Sequence, residues 1–309
     1  MNAYAELRFE SQEHRFNVDT RIDEEYGVYW AYLNPRGRAC ISPSVLRDLQ
    51  STITELQRDF GCVAAQGSAV RIRYGVIASR TPGIFSLGGD LALFRDAIMS
   101  QNREVLLRYG KSCCEVLLAW HRNCEVDMTT ISLVQGEALG GGFEGALSAS
   151  VLVAEESARL GFPEILFNLF PGMGAFSFLS RKVGRSTAER LITSGTIYTA
   201  RELYDMGVVD VLTADGTGEE AVYSYIKKHA KLGNGRRAFE KSRNECDPIT
   251  IDEMMRVMNV WVDAALKLEE RDLRLMERLV RAQQRTENSG PRARGNVIPL
   301  QPLQTVNAM

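Results

Sequence analysis

Two glutamates lie beside glycine-rich strings in the middle of the chain. Glu144 follows the glycine run of VQGEALGGGFEGAL, and Glu164 lies twenty residues later in GFPEIL. Both acids border apolar segments, where burial penalises the ionised carboxylate and raises its pKa. Two such carboxyls facing one site differ in pKa, so that one can donate a proton and the other can accept one. The pair predicts general acid–base chemistry, and capping of a helix start is the alternative for either glutamate alone.

Each of two glycine strings stands between a strand pattern and a helical pattern. The first is IFSLGGD, which contains Gly88 and Gly89, and the second is the LGGG run that contains Gly141. Glycine lets the backbone approach a ligand closely, and the N–H groups at a helix start favour negative charge. The strings therefore predict a cradle for the charge that develops on a carbonyl oxygen. For the first string alone, a plain strand-to-helix turn is the alternative.

Strand and helix patterns alternate over most of the chain. Strand patterns occupy residues 26–34, 69–79, 129–135 and 151–154. Between the first two, Val45, Leu46, Leu49, Ile53 and Leu56 recur at helical spacing. Repeated β-then-α units predict an α/β fold with a largely parallel sheet and helices packed outside it.

The character of the chain changes near residue 216, after which helical patterns dominate. A long apolar run from Ile251 to Arg285 is too hydrophobic for a helix lying alone on a surface. The final residues contain three prolines and no hydrophobic period. We therefore expect a core over 1–215, a C-terminal helical region over 216–288 and a flexible tail over 289–309.

Composition excludes several classes of function. The 309 residues carry 37 basic and 39 acidic side chains, a net charge of −2, which provides no field to hold nucleic acid or an anionic membrane. The first sixteen residues are too charged for an export signal, and no segment is apolar enough to span a bilayer. The six cysteines show no CxxC spacing, so we expect no bound metal. These features predict a cytoplasmic protein with reduced thiols.

Several longer strings carry a resemblance to a known family. IFSLGGDL, VQGEALGGGFEGAL and GFPEILFNLFPGMGAF resemble the blocks of the enoyl-CoA hydratase/isomerase (crotonase) superfamily, and LNPRGRACISPSVLRDL resembles its first strand, loop and helix. The resemblance covers about residues 26–213. Within the superfamily, FSLGGDLALF, NLFPGMGAFSFLSR, IDEMMRVMNVWVDAAL and RLMERLVRAQQR most resemble the diffusible signal factor synthases, which make cis-2-unsaturated fatty acids.

This resemblance implies a fold, an assembly and a set of site residues. The fold is a crotonase-like spiral of ββα repeats with a C-terminal helical region, assembled as a homotrimer or hexamer. The oxyanion hole maps onto the backbone N–H groups of Gly89 and Gly141, and the catalytic acids map onto Glu144 and Glu164. Leu87 and Asn168 depart from the usual hydratase pattern, which weakens a simple hydratase interpretation. Arg36 and Arg38 lie on the loop that approaches the nucleotide or phosphopantetheine in the family.

The expected activity is dehydration of a 3-hydroxyacyl thioester of acyl carrier protein to the cis-2-enoyl thioester, followed by hydrolysis to the free fatty acid. No cofactor is expected beyond the phosphopantetheine of acyl carrier protein or CoA. Our preference is that Glu144 serves the hydroxyl and Glu164 the α-carbon. The alternatives are an enoyl-CoA hydratase of fatty acid metabolism and a non-catalytic acyl-binding protein that contacts a sensor kinase.

A long acyl chain requires an apolar slot. We expect Leu139, Met173, Met258 and Trp261 to line it, since methionine is deformable and tryptophan offers a large apolar face. Simple helix packing is the alternative for Met258 and Trp261. If Trp261 lines the slot, its replacement by alanine should alter chain-length preference before it alters the fold.

Overall fold

A computed structural model describes residues 15–65 and 67–285, with side chains described as far as residue 278. The tail predicted over 289–309 lies outside the described residues. The strands are β1 (Val18–Asp23), β2 (Val28–Leu33), β3 (Cys62–Ala65), β4 (Ser68–Arg71), β5 (Tyr74–Ser79), β6 (Ile84–Ser86), β7 (Thr129–Val134), β8 (Glu137–Leu139), β9 (Val151–Glu155), β10 (Arg159–Gly161), β11 (Ile197–Thr199) and β12 (Val211–Thr213). The α-helices are α1 (Pro43–Gln57), α2 (Leu91–Met99), α3 (Arg103–His121), α4 (Gly141–Leu147), α5 (Ala175–Val183), α6 (Arg185–Thr193), α7 (Ala200–Asp205), α8 (Gly218–His229), α9 (Gly233–Cys246), α10 (Ile251–Ala265) and α11 (Glu270–Arg285).

All the described strands except β3 and β4 belong to two sheets, and the chain alternates between these sheets. One sheet has the order β1-β2-β5-β7-β9-β12, and the other has the order β11-β10-β8-β6. Strands β5, β7 and β9 run parallel in the first sheet, while β6, β8 and β10 run parallel in the second. Each unit therefore places one strand in each sheet and then forms a helix. The predicted α/β class and the ββα spiral implied by the resemblance are both confirmed.

The strand predicted over 69–79 is two strands rather than one. β4 pairs with β3 in a separate antiparallel hairpin, whereas β5 joins the first sheet beside β2. At the break, the Ile72 N–H donates to Gly61 O at 2.8 Å and the Arg73 N–H donates to Gly27 O at 2.7 Å. These backbone contacts divide the segment into two strands, although the alternation of apolar and polar side chains continues across the division.

The first sheet is covered on both faces, which explains why β2 and β7 are buried at every position. One face packs against α8 through Val222, Tyr225 and Ile226. The other face packs toward α1 and α3 within the main core. Helix α1 contains the predicted apolar stripe and begins at Pro43, where the Ser42 hydroxyl accepts the Val45 N–H at 3.3 Å.

The long helical run expected from Ile251 to Arg285 consists of α10 and α11, separated by residues 266–269. The buried Asp272 carboxylate accepts the Glu269 N–H at 3.1 Å and caps the start of α11. Helix α10 packs on α3, and α11 packs on α2. Within the part of the chain that the structure describes, no helix combines the length and apolar character needed to cross a membrane.

Candidate active site

The two glycine strings and the turn that carries Glu164 follow three neighbouring parallel strands of the second sheet. β6 leads into Gly88 and Gly89, β8 leads into Gly140 and Gly141, and β10 leads into the turn that carries Glu164. Strand β8 lies between β6 and β10. Because the carboxyl ends of parallel strands meet at one edge of a sheet, these strings, distant in sequence, are brought together.

The backbones of the two glycine strings are packed against each other. A Cβ on Gly88 would lie 2.8 Å from the Leu139 carbonyl oxygen, and a Cβ on Gly141 would lie 3.3 Å from the Gly89 nitrogen. Gly88 also has a φ of +92°, which side-chain-bearing residues rarely adopt. Gly141 is the first residue of α4, so its N–H has no carbonyl one helical turn before it. The arrangement places main-chain amides of two loops side by side.

Glu144 is buried, with only 1% of its surface exposed. Its Oε1 accepts the backbone N–H of Met173 at 2.8 Å and that of Ala175 at 3.0 Å. Its Oε2 lies 3.8 Å from the Cβ position of Gly141, toward the glycine strings. Burial raises the pKa of Glu144 to about 7, although the two amide donors oppose this shift by stabilising the ionised form.

Glu164 follows β10, the strand next to β8, and approaches the same glycines. A Cβ on Gly140 would collide with its Oε1, and Gly140 has a φ of +51°. Glu164 is partly exposed as a residue, but its Oε2 is fully covered and has no hydrogen-bond partner among the described residues. Burial, and secondly the charge of Glu144, raise the pKa of Glu164 to about 8. The two carboxyls therefore flank the Gly140–Gly141 pair and titrate near neutral pH.

The stability of the protein should depend on pH through this pair. The folded-state pKa values, about 7 and about 8, lie above the ordinary value of 4.5, so the folded state holds protons that the unfolded state has released. The resulting stability is complete below about pH 4.5 and is lost as pH rises through about 8. One pKa unit corresponds to about 1.4 kcal/mol, so the two raised pKa values together correspond to a loss of up to about 8 kcal/mol.

Urea unfolding at graded pH, compared with a Glu144→Gln/Glu164→Gln double variant, measures this dependence. The variant lacks both titrating groups, so the wild type should lose free energy of unfolding relative to it between about pH 5 and pH 8. Parallel curves for the two proteins across this range would contradict the raised pKa values.

The loop that carries Gly89 is anchored from two sides. On one side, the Ile41 N–H donates to Gly88 O at 2.8 Å, and Arg38 forms an ion pair with Asp90 at 2.7 Å. On the other side, the Tyr109 hydroxyl donates to Ile41 O at 2.5 Å and accepts the Asp90 N–H at 3.3 Å. The contact of Tyr109 with this loop was not predicted from the sequence, because Tyr109 fits the apolar spacing of α3 like any other buried residue of that helix.

The turn carrying Glu164 ends at Asn168, which has a φ of +61°. Asparagine is one of the few residues other than glycine that adopt this left-handed conformation readily. The Asn168 side chain also donates to Asp272 Oδ2 at 3.3 Å, so α11 contacts the turn of Glu164. The departure at Asn168 noted in the sequence is therefore compatible with the backbone.

An apolar cavity begins at the glycine strings and runs between α1 and α3. It encloses about 750 Å³, including its open mouth. Its glycine end is formed by Gly89, Gly141, Gly142 and Met173. Its walls include Leu33, Leu46, Leu49, Ile53, Val116 and Leu117. Sequence reasoning did not select α1 or α3, because an apolar stripe that borders a cavity has the same pattern as one packed in a core.

The structure corrects the expected lining of this cavity. Met173 lies on it, whereas Leu139, Met258 and Trp261 do not. Met258 is fully buried against Gly110 of α3. Trp261 packs against Gly172 and meets Phe94 edge-on at a centroid distance of 5.1 Å. Helix α10 thus lies behind α2 and α3 rather than over the cavity, and these two residues hold helices together.

The described residues contain no group of three or more His, Cys, Asp or Glu side chains able to hold a metal ion. The carboxyl pair and the adjoining main-chain amides are instead suited to moving protons beside a polarised carbonyl.

Comparison with known proteins gives relatives that include two probable enoyl-CoA hydratases. The probable enoyl-CoA hydratase 2, mitochondrial, of Arabidopsis thaliana is 32% identical over 188 residues, which are 60% of this chain and 56% of the relative. The probable enoyl-CoA hydratase echA8 of Mycobacterium bovis is 28% identical over 222 residues, which are 68% and 78% of the two chains. The chain thus spans little more than half the length of the Arabidopsis relative.

Solved structures share the fold. Enoyl-CoA hydratase from Bacillus halodurans superposes with a TM-score of 0.69 at 19% identity, covering 86% of this chain and 99% of the other. Pseudomonas aeruginosa DspI superposes with a TM-score of 0.62 at 22% identity, covering 79% and 86% of the two chains. The family model described as enoyl-CoA hydratase/isomerase matches residues 50–245, about two thirds of the chain. The chain therefore belongs to the enoyl-CoA hydratase/isomerase family.

Proposed function

We propose that this family member is a diffusible signal factor synthase, a dehydratase with thioesterase activity. It takes a 3-hydroxyacyl chain from acyl carrier protein, eliminates water to form the cis-2-enoyl thioester, and hydrolyses that thioester to the free cis-2-unsaturated fatty acid. The observation that carries the proposal is the carboxyl pair, Glu144 and Glu164, flanking the Gly140–Gly141 backbone at the end of an apolar cavity. An aliphatic chain fits such a cavity, with its thioester at the glycines.

In the proposed dehydration, the thioester oxygen lies against the main-chain amides of Gly89 and Gly141. As the α-proton leaves, the electron pair moves toward this oxygen, and each amide donor stabilises the resulting enolate by about 3 kcal/mol. The electron pair then moves back from this oxygen and forms the C2–C3 double bond while the C3–O bond breaks. The departing hydroxyl takes a proton and leaves as water.

The hydrogen bonds of the two acids favour one division of labour. Glu144 accepts two backbone N–H groups, which stabilise its ionised form, whereas Glu164 Oε2 has no partner among the described residues. The proton of the pair therefore resides on Glu164, which donates it to the hydroxyl, and Glu144 accepts the α-proton. This assignment reverses the preference drawn from the sequence.

Hydrolysis uses the same groups in their exchanged protonation states. After dehydration Glu164 is ionised and Glu144 is protonated. Glu164 then takes a proton from water as its oxygen attacks the thioester carbon, and the main-chain amides hold the tetrahedral oxyanion. The C–S bond breaks, the thiol of the carrier takes a proton from Glu144, and the fatty acid is released. Both acids thereby return to their starting states.

The proposal includes a homotrimer or hexamer. Apolar side chains beside Glu164 support a subunit contact there, since Ile165 and Leu166 are 40% and 45% exposed. Neighbouring exposed apolar residues are typical of protein interfaces.

A direct incubation tests the proposed function. The protein is given 3-hydroxydodecanoyl acyl carrier protein in one reaction and crotonyl-CoA in another, and products are identified by mass spectrometry. Release of free cis-2-dodecenoic acid, absent with Glu144→Ala, is the expected result. Formation of 3-hydroxybutyryl-CoA without free acid would instead establish the second candidate, an enoyl-CoA hydratase, which the names of the Arabidopsis and mycobacterial relatives favour. Turnover of neither substrate would favour an acyl-binding protein.

A further inference from the structure

Gly145 differs from the other glycines of the site. It is the fifth residue of α4, next to Glu144, and it borders the apolar cavity. A Cβ on Gly142 would collide with the Ser86 carbonyl oxygen, and a Cβ on Gly141 would press on the Gly89 nitrogen. At those positions the close approach of two backbones requires glycine.

No such requirement holds at Gly145. Its backbone is not left-handed, and among the described residues a Cβ there would meet only the Leu117 Cδ2 atom, at an ordinary contact distance of 4.0 Å. Alanine would therefore fit, and it would be the better helix former. Neither backbone conformation nor packing explains the glycine. The absence of a side chain at position 145 leaves space in the cavity.

We infer that Gly145 determines how long an acyl chain the cavity admits. Along α4, Gly145 lies about 6 Å beyond Gly141, at 1.5 Å per residue. A chain whose thioester lies at Gly89 and Gly141 would thus pass Gly145 several carbons beyond the reacting atoms. Leu117 stands opposite, so a side chain at position 145 would narrow the passage between α3 and α4. This inference rests on the proposed function for its ligand class, an acyl thioester.

Binding of unreactive analogues tests the inference without requiring turnover. S-butyl-CoA and S-dodecyl-CoA are thioethers, which can be neither dehydrated nor hydrolysed. Their dissociation constants are measured by calorimetry for the wild type, Gly145→Ala and Gly145→Leu. The ratio of dodecyl to butyl affinity should fall about tenfold in Gly145→Leu, because overpacking opposes the longer chain alone. Gly145→Ala should lower the ratio by a smaller factor and raise the melting temperature by about 2 °C.

Gly235→Leu is the matched control. Gly235 lies in α9 and is exposed, and no atom of the described residues lies within 4 Å of its Cβ position. The Gly235→Leu substitution introduces the same side chain into a helix away from the cavity. The ratio of dodecyl to butyl affinity of this variant should therefore equal that of the wild type. Melting temperatures of both leucine variants establish that they are folded.

The outcomes separate this inference from the proposed function. A lower ratio in the Gly145 variants supports the inference even if the wild type turns over no thioester, a result that would overturn only the proposed function. An unchanged ratio, or equal loss of both affinities, overturns the inference even if the wild type is an active dehydratase. Failure of the wild type to bind either thioether overturns it as well.

Discussion

Replacing Glu164 by glutamine is expected to lower kcat for dehydration about a thousandfold without destabilising the fold. General acid–base groups typically contribute between about a hundredfold and ten-thousandfold to a rate, and the amide can neither donate the carboxyl proton nor regenerate it. The Glu164 Oε2 atom has no hydrogen-bond partner to lose, so the nearly isosteric change breaks no described contact of that oxygen. It also removes the cost of ionising a buried carboxyl.

Steady-state kinetics with a 3-hydroxyacyl carrier protein, together with thermal unfolding, measure the effect. Glu137→Gln is a suitable control, because burial also raises the pKa of Glu137 and it lies in β8, just before the glycines. It should retain wild-type kcat within about threefold, since no catalytic role depends on its proton. A Glu164→Gln protein that keeps more than roughly a tenth of wild-type kcat would exclude Glu164 as the proton donor.

Replacing Trp261 by alanine is expected to destabilise the protein by about 4 kcal/mol. The indole is only 3% exposed and fills the space between Gly172 and Phe94, so its removal leaves a cavity that these neighbours cannot close. Gly172 precedes Met173, which holds Glu144, and Phe94 packs on Gly89. Activity should therefore fall for all acyl lengths together, rather than for long chains first.

Urea unfolding and turnover of short and long substrates distinguish these effects. Val260, its neighbour on α10, is 60% exposed, and Val260→Ala should change the free energy of unfolding by less than about 0.5 kcal/mol. If Trp261→Ala kept wild-type stability and shortened the preferred chain, Trp261 would line the acyl path after all.

The carboxyl pair shows how much residue types and their spacing can predict. Glu144 and Glu164 follow apolar strand patterns and glycines, so burial and raised pKa values were predictable from their neighbours in the chain. The structure agrees with this prediction. Apolar strands are buried, so the residues that directly follow them lie in the same apolar environment. The division of roles was not predictable. It depends on Met173 and Ala175 amides, which reach Glu144 only through the tertiary fold.

The apolar cavity shows what the local sequence pattern does not predict. The stripes of α1 and α3 are indistinguishable by period from that of α10, yet the first two border the cavity and the third packs behind them. Which apolar face meets a void and which meets another helix is set by the relative placement of helices, and that placement is a non-local property.

By itself, the sequence determined the alternation of strands and helices, the α/β class, and the residues that follow β6, β8 and β10, because each depends on neighbours in the chain. Tertiary structure alone decided the rest. It set Glu164 against Gly140, gave Glu144 its amide donors, and placed Gly145 on the wall of the apolar cavity. These contacts join segments far apart in sequence, and the order of parallel strands within a sheet is what brings such segments together.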